Sequence, residues 1–322
     1  MNLLRVPVAR RSLNRRSLLR LVGLTSLAPF AAACQSTDLP VYSLAAAELN
    51  GFFYEFAQLL TDAVTRDDAP FRLERLVTLG TLQNLQFLRD GTVPLALALA
   101  DATVADPAGR VALGRVYENY LQVVVAKDST INGVEDFPGH RISLGFSGSG
   151  TENSAQRVLA AAGIDPASFT LEPVALVDLL GALASGRVDA GFFAGGVPNP
   201  IVDPASAGGG PAGGIRLLSL SGPLQALVQQ YGAVYQSVIV PPGVYGAAAE
   251  VETVGITSLV LARPDLPDAV AERIVDVLLE RAGELIPGPA LGAQYLSASS
   301  LIYTFGIPLH PGAVAAYRTH HG

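Results

Sequence analysis

Between the strand-like run Arg141-Ile142-Ser143-Leu144 and a helical stretch beginning at Thr151 lies the loop Gly145-Phe146-Ser147-Gly148-Ser149-Gly150-Thr151-Glu152. Residues of these types can hold an anion without any cationic side chain. Glycine lets backbone approach a ligand closely, and the helix behind the loop presents unpaired N–H groups at the positive end of its dipole. The hydroxyls of Ser147, Ser149 and Thr151 add further donors around Gly148 and Gly150. The same spacing also spells a capping box, Ser149 with Glu152 three residues on, which satisfies such N–H groups internally and needs no ligand. The two uses are compatible, because one hydroxyl can cap while its neighbours bind.

Two more loops share this setting. In Glu48-Leu49-Asn50-Gly51-Phe52-Phe53-Tyr54, Asn50 can cap a helix and Gly51 permits a tight entry. If that helix start faces the first loop across a cleft, Tyr54 offers a hydroxyl and Phe53 an apolar wall. The third loop is Gly80-Thr81-Leu82-Gln83-Asn84, again between strand and helix. Three such loops, each following a predicted strand, agree with the rule that open α/β sheets bind ligands at the carboxyl ends of their strands. None of the three contains Lys or Arg. A carboxylate would therefore be held by helix N-termini and by the hydroxyls of Thr81, Ser147, Ser149 and Thr151. Glu48, if it points into the cleft, favours a ligand that also carries an ammonium group, such as glutamate or another acidic or polar amino acid. With Glu48 turned to solvent, a plain dicarboxylate fits instead.

Catalysis finds little footing. His140, His310, His320 and His321 show no metal-ligand spacing along a helix with an acid between them, and His310, between Pro308 and Pro311, reads as a loop-fixing hydrogen-bonding residue. Gly145-Phe146-Ser147-Gly148-Ser149 lacks the final Gly of a nucleophile elbow. We expect no catalytic residue, no metal and no cofactor. A periplasmic serine hydrolase using Ser147 or Ser149, and a ligand-binding lipoprotein sensor, are the alternatives. Asp101 and Asp189 read as a turn residue and a strand cap, and Tyr245 as a contact closing over the ligand.

The elements that must position these loops alternate strand-like apolar runs with amphipathic stretches, the pattern of α/β layers. Strands are predicted at Val41–Ala45, Leu73–Thr78, Pro94–Ala100, Leu121–Ala126, Arg141–Leu144, Val188–Phe193, Ile215–Leu220 and Thr253–Ala262. Helices are predicted at Gly51–Val64, Gln83–Arg89, Thr151–Ala162, Ala175–Ser185, Leu224–Tyr231 and Leu266–Leu285, the last with the stripe Val270, Ile274, Val277, Leu278 and Leu285. The glycine-rich Ser206–Gly214 reads as a surface loop.

The N-terminus reads as an export signal over residues 1–33 and is set aside from fold reasoning. Asn14-Arg15-Arg16-Ser17-Leu18-Leu19-Arg20 resembles the twin-arginine motif, and Ala31-Ala32-Ala33-Cys34 resembles a lipobox, with Cys34 the lipidation site and the only cysteine. Beyond residue 33 no apolar run is long enough to span a bilayer. Of 21 basic residues six lie in the first 33, which leaves 15 against 28 acidic residues, a formal charge of −13. Such a surface repels a phosphate backbone, so nucleic acid is excluded as a partner.

Several short segments, in order along the chain, resemble the TAXI class of solute receptors that serve TRAP-type transporters. They are Gly51-Phe52-Phe53-Tyr54, Gly80-Thr81 with Asn84, Leu121 to Ile131, Gly148 to Thr151, Val158 to Ile164, Gly186 to Ala190, Gly196-Val197-Pro198, Ile239 to Tyr245, and Pro308-Leu309-His310-Pro311-Gly312-Ala313 with Tyr317. Ala45-Ala46-Ala47-Glu48 departs from the Gly-rich first strand of that class. The resemblance implies a two-lobed type II periplasmic-binding-protein fold with a hinge and an interlobe cleft. One lobe would comprise 34–127 plus 251–322 and the other 128–250. It further implies capture of a small anionic or zwitterionic solute for an integral-membrane TRAP permease, outside the cytoplasm, with membrane association through a lipid anchor only. Gly51, Phe53, Tyr54, Thr81, Asn84, Ser147 to Thr151, Gly196 and Tyr245 are the ligand contacts so implied.

Overall fold

The computed structural model describes residues 39–49, 51–203, 210–288 and 295–321. Cys34 and the export motifs, Asn50, and residues 206–209 of the glycine-rich loop lie outside them.

Among the described residues ten strands form one mixed sheet: β1 (Val41–Ala45), β2 (Arg72–Leu76), β3 (Leu95–Leu99), β4 (Val111–Ala126), β5 (Arg141–Ser143), β6 (Thr170–Leu171), β7 (Ala190–Gly195), β8 (Ile215–Leu218), β9 (Tyr235–Val240) and β10 (Val251–Ala262). Their order is β2-β1-β3-β10-β4-β7-β5-β6, with β8 paired to β4 and β9 to β10. The long antiparallel pair β4 and β10 runs through the middle. Near Val111–Glu118 and Thr257–Ala262 the two strands pair with each other, and β10 also pairs with β3. Further along, β4 pairs with β7 and β8 while β10 pairs with β9. Both strands thus serve both ends of the sheet.

The helices are α1 (Phe52–Arg66), α2 (Thr81–Arg89), α3 (Ala100–Ala105), α4 (Gly150–Ala161), α5 (Leu179–Ala184), α6 (Ser221–Tyr231), α7 (Asp268–Glu280), α8 (Ala298–Leu301) and α9 (Pro311–His321). The spacing of Phe53, Phe56, Ala57, Leu60, Ala63 and Val64 puts one apolar face of α1 into the core, and Val270, Ile274, Val277 and Leu278 do the same for α7. Each large aliphatic side chain so buried stabilises by about 1.5–3 kcal/mol. All five residues of β3 are buried, as a strand covered on both faces must be.

Three expectations are corrected. The helix expected over Ala175–Ser185 is a single 3-10 turn, Leu176–Asp178, followed by the six-residue α5. Val177 and Asp178 are exposed, so the first part has no buried face to hold a longer helix. The strand expected only at Leu121–Ala126 begins ten residues earlier. Its first ten residues carry Arg115, Glu118 and Asn119, which mask the apolar pattern although the strand lies mid-sheet. The helix α9 went unforeseen; it starts at Pro311, and the His310 ring Nδ1 accepts from the Gly312 N–H at 3.1 Å. His310 is fully buried and holds that turn. A Cβ on Gly312 would meet the Asp268 carbonyl at 2.1 Å, so α9 packs on α7 at glycine distance.

Candidate functional site

The carboxyl ends of β1, β2 and β5 feed three helices whose first turns open on one cavity of about 70 Å³. Gly51 and Phe53 reach it from α1, Thr81 from α2, and Ser149, Gly150 and Thr151 from α4. An adjoining compartment of about 50 Å³ shares Glu48, Leu79, Ser149, Thr151, Leu176 and Ala194 with the first. Its other walls include Val174, Phe192 and Phe193.

The three helix starts differ in how their N–H groups are used. Ser149 caps α4, its Oγ accepting from Glu152 N at 3.1 Å, while Glu152 Oε2 accepts from Gly148 N at 2.7 Å. The cap expected from the sequence therefore forms, with the returning Glu152 bond falling on Gly148, one residue before the cap. Gly51 and Gly80, which precede α1 and α2, provide no side-chain cap. Among the described residues, no N-cap side chain takes up the leading N–H groups of those two helices. Gly80 has φ 98°, a conformation that favours glycine, and it brings α2 against α4: a Cβ there would lie 3.9 Å from Gly150 N. Gly150 itself abuts Thr81 and Leu99, with a virtual Cβ at 2.6 Å from Thr81 Oγ1 and 2.9 Å from Leu99 Cδ1. Thr81 Oγ1 accepts from Leu99 N at 3.1 Å.

No Lys, Arg or His lines either compartment among the described residues. The cavity's one carboxylate is Glu48, and burial pushes its pKa up from the ordinary 4.5. Asn119, buried in β4, lines the cavity and donates its amide to Ser258. Phe52, edge-on to the Tyr117 ring at 4.6 Å between centroids, completes an apolar side.

The other expected contacts stand elsewhere. Asn84 is fully buried; its amide donates to Ala46 O at 2.6 Å and Leu97 O at 2.7 Å, and its Oδ1 accepts from Thr78 Oγ1 at 2.7 Å. It ties the ends of β1 and β3 to the loop that launches α2, so it positions Thr81. Tyr54 sits under the Arg75 guanidinium, 4.9 Å from the ring centroid. Ser147 is exposed on the outer side of its loop, and Gly148 turns that loop with φ 83°. Gly196 is pressed against Phe52, whose ring would lie 2.2 Å from an added Cβ, and thereby seats a cavity wall. Tyr245 is buried; its hydroxyl accepts from Asn199 N at 2.6 Å, its ring packs on Phe193, and burial raises its pKa.

Sequence reasoning missed Asn119, Leu99 and Leu176 as cavity residues, since no local pattern marks them. It also understated Asp101. This buried residue, two past Leu99, accepts at Oδ2 from Ser154 Oγ (2.7 Å), Tyr235 OH (2.8 Å) and Asn153 Nδ2 (3.1 Å). It joins α3 to α4 and β9 directly behind the helix start that lines the cavity. Asp189 accepts from Arg141, at 2.8 Å from its backbone N and 2.7 Å from its guanidinium, so it ties β5 to β7 away from the cleft.

Comparison with known proteins adds family and fold. The sequence profile of the NMT1-like family matches residues 44–320. A protein of Bordetella bronchiseptica RB50 superposes with a TM-score of 0.53 at 13% identity, covering 88% of this chain and 99% of that one. A Xanthomonas citri protein solved with ATP gives 0.51 at 16%, over 87% and 95%. A Listeria monocytogenes protein provisionally described as an L-cystine ABC transporter gives 0.51 at 12%, over 77% and 93%. At such identities the likeness is one of fold, and the shared fold is the mixed α/β architecture expected from the sequence.

Proposed function

We propose, for a chain that belongs to the NMT1-like family, the role of an extracytoplasmic receptor that captures a small carboxylate-bearing solute and delivers it to a membrane permease. The observation that carries this reading is the convergence of three helix N-termini, α1, α2 and α4, on one cavity without a basic side chain. Two of those termini have no side-chain cap, and a carboxylate is the group their N–H donors suit. Each such contact is worth about 0.3–2 kcal/mol. Glutamate, a related amino acid or a dicarboxylate falls within this class.

Residues 34–127 with 251–322 act as one lobe and 128–250 as the other, opening and closing about β4 and β10. The shared passage of both strands through the sheet supports this division. The role is one of binding: Ser149 caps α4 with its hydroxyl, and the cavity's described lining offers donors and apolar walls. The motif resemblance to TAXI receptors supports a TRAP-type permease as the acceptor. The fold shared with the Listeria protein supports an ABC-type permease as the competing one. The twin-arginine-like segment and Cys34 support export and a lipid anchor.

A thermal-shift screen of amino acids, dicarboxylates and small organic acids tests the core of the proposal. A ligand bound only by the native state raises the melting temperature, by the equivalent of about 2.7 kcal/mol at a hundredfold excess over Kd. A panel without a single stabilising carboxylate would overturn it. Deleting a neighbouring many-spanning permease gene of either class and measuring uptake then decides between the two acceptors.

A further inference from the structure

Glu48 borders both compartments of the cleft. Its carboxylate has neither a hydrogen bond nor an ion pair with any described residue, and burial is the sole influence on its acidity. It does not cap α1, whose N-cap Gly51 instead donates its N–H to the Glu48 backbone oxygen at 3.1 Å. An unpaired carboxylate at the wall of a closing cavity is costly to desolvate unless the ligand brings the compensating charge. The second compartment supplies another restriction. Val174, Phe192 and Phe193 wall it beside the Gly145 backbone and the hydroxyl-bearing Ser149 and Thr151, and Glu48 is its one charged residue among those described. A second ligand carboxylate placed there would have Glu48 as a like-charged neighbour, with no Lys, Arg or His among the described lining residues to offset it.

We infer that Glu48 is the specificity-determining residue of this cleft. It receives the ammonium group of a small zwitterion whose carboxylate lies on the helix N-termini and whose remaining substituent is uncharged, such as the side chain of valine or leucine. This rests on the receptor reading above and narrows it, from any carboxylate to one with a positive end and without a second negative one.

The test is calorimetry on the mature chain with L-valine, L-leucine, L-glutamate and 4-methylpentanoate, which keeps the leucine skeleton without its amine. Valine or leucine binds, and glutamate and 4-methylpentanoate bind weaker by about tenfold or more, the worth of a hydrogen bond to a charged group. Glu48→Gln weakens the amino acid by about the same factor and leaves 4-methylpentanoate unchanged. Glu48→Asp, one methylene shorter, serves as the second variant and falls between the two. Equal binding of leucine and 4-methylpentanoate, tighter binding of glutamate than of the neutral amino acids, or undiminished amino-acid affinity in Glu48→Gln overturns the assignment and leaves the receptor reading intact. Failure of these four and of the wider carboxylate panel overturns both.

Discussion

Replacing Gly150 with alanine places a methyl group where the two sides of the cleft meet. The added Cβ would stand 2.6 Å from Thr81 Oγ1 and 2.9 Å from Leu99 Cδ1. Neither neighbour can easily give way. Thr81 is held by the Leu99 N–H at 3.1 Å, and Leu99 ends a strand buried along its whole length. Overpacking of this kind costs about 1–3 kcal/mol. Within α4 itself the change is favourable, because alanine exceeds glycine in helix propensity by about 1 kcal/mol. The cost therefore falls on the approach of α4 to α2, while the folding of either side is spared. If ligand is held with the cleft closed, that 1–3 kcal/mol appears as a loss of affinity of about 5- to 150-fold. The melting temperature without ligand should hold or rise slightly. Gly150→Val, with two more methyl carbons, should lower affinity further. Calorimetry with whichever solute the screen identifies, alongside thermal melts with and without it, measures both quantities. Unchanged affinity together with a lowered melting temperature would refute the reasoning, since Gly150 would then be an ordinary packing position.

Asp101→Ala leaves Ser154, Tyr235 and Asn153 without their shared acceptor. Stability in urea should fall by about 3 kcal/mol or more, and a loss below about 1 kcal/mol would contradict the geometry. Two carboxylates should respond to pH with opposite sign. Burial holds Glu118 above the ordinary 4.5, so as pH rises past that value the unfolded chain releases its proton first and the fold is progressively penalised; Glu118→Gln should flatten that decline. A hydrogen bond from Arg281, with Arg273 also near, holds Asp67 below the ordinary 3.8. Its contribution is complete above that value and disappears as pH falls through the folded value, and Asp67→Asn should abolish this acid-side loss. Melting curves from about pH 3 to 7 check both, and variants with wild-type slopes would sink the assignment. For export, replacing Arg15 and Arg16 with Lys should retain the precursor inside the cell, and Cys34→Ser should release the mature protein from membranes. Membrane fractionation of Cys34→Ser would dismiss the anchor.

Much of this protein is legible in the chain because its signals are local. The apolar stripes of α1 and α7 and the all-apolar β3 follow from residue spacing alone. So does the Ser149 cap on the Glu152 N–H, which needs only four consecutive residues to form. What the sequence could not reveal depends on distance. Asn84, Gly196 and Tyr245 belong to conspicuous motifs, yet each spends polar or steric capacity on distant neighbours, Asn84 on Ala46 and Leu97, Gly196 on Phe52 and Tyr245 on Asn199, and so supports the cleft without lining it. The first ten residues of β4 escaped because Arg115, Glu118 and Asn119 break its pattern, and only partners more than a hundred residues later satisfy their polar groups. By itself, then, the sequence determined the α/β alternation and the three glycine-led loops, since backbone freedom and periodicity are properties of adjacent residues. Only the tertiary structure decided that Gly51, Thr81 and Gly150 share one cavity with Glu48, because long-range strand pairing sets which loops meet and which charge is left facing them.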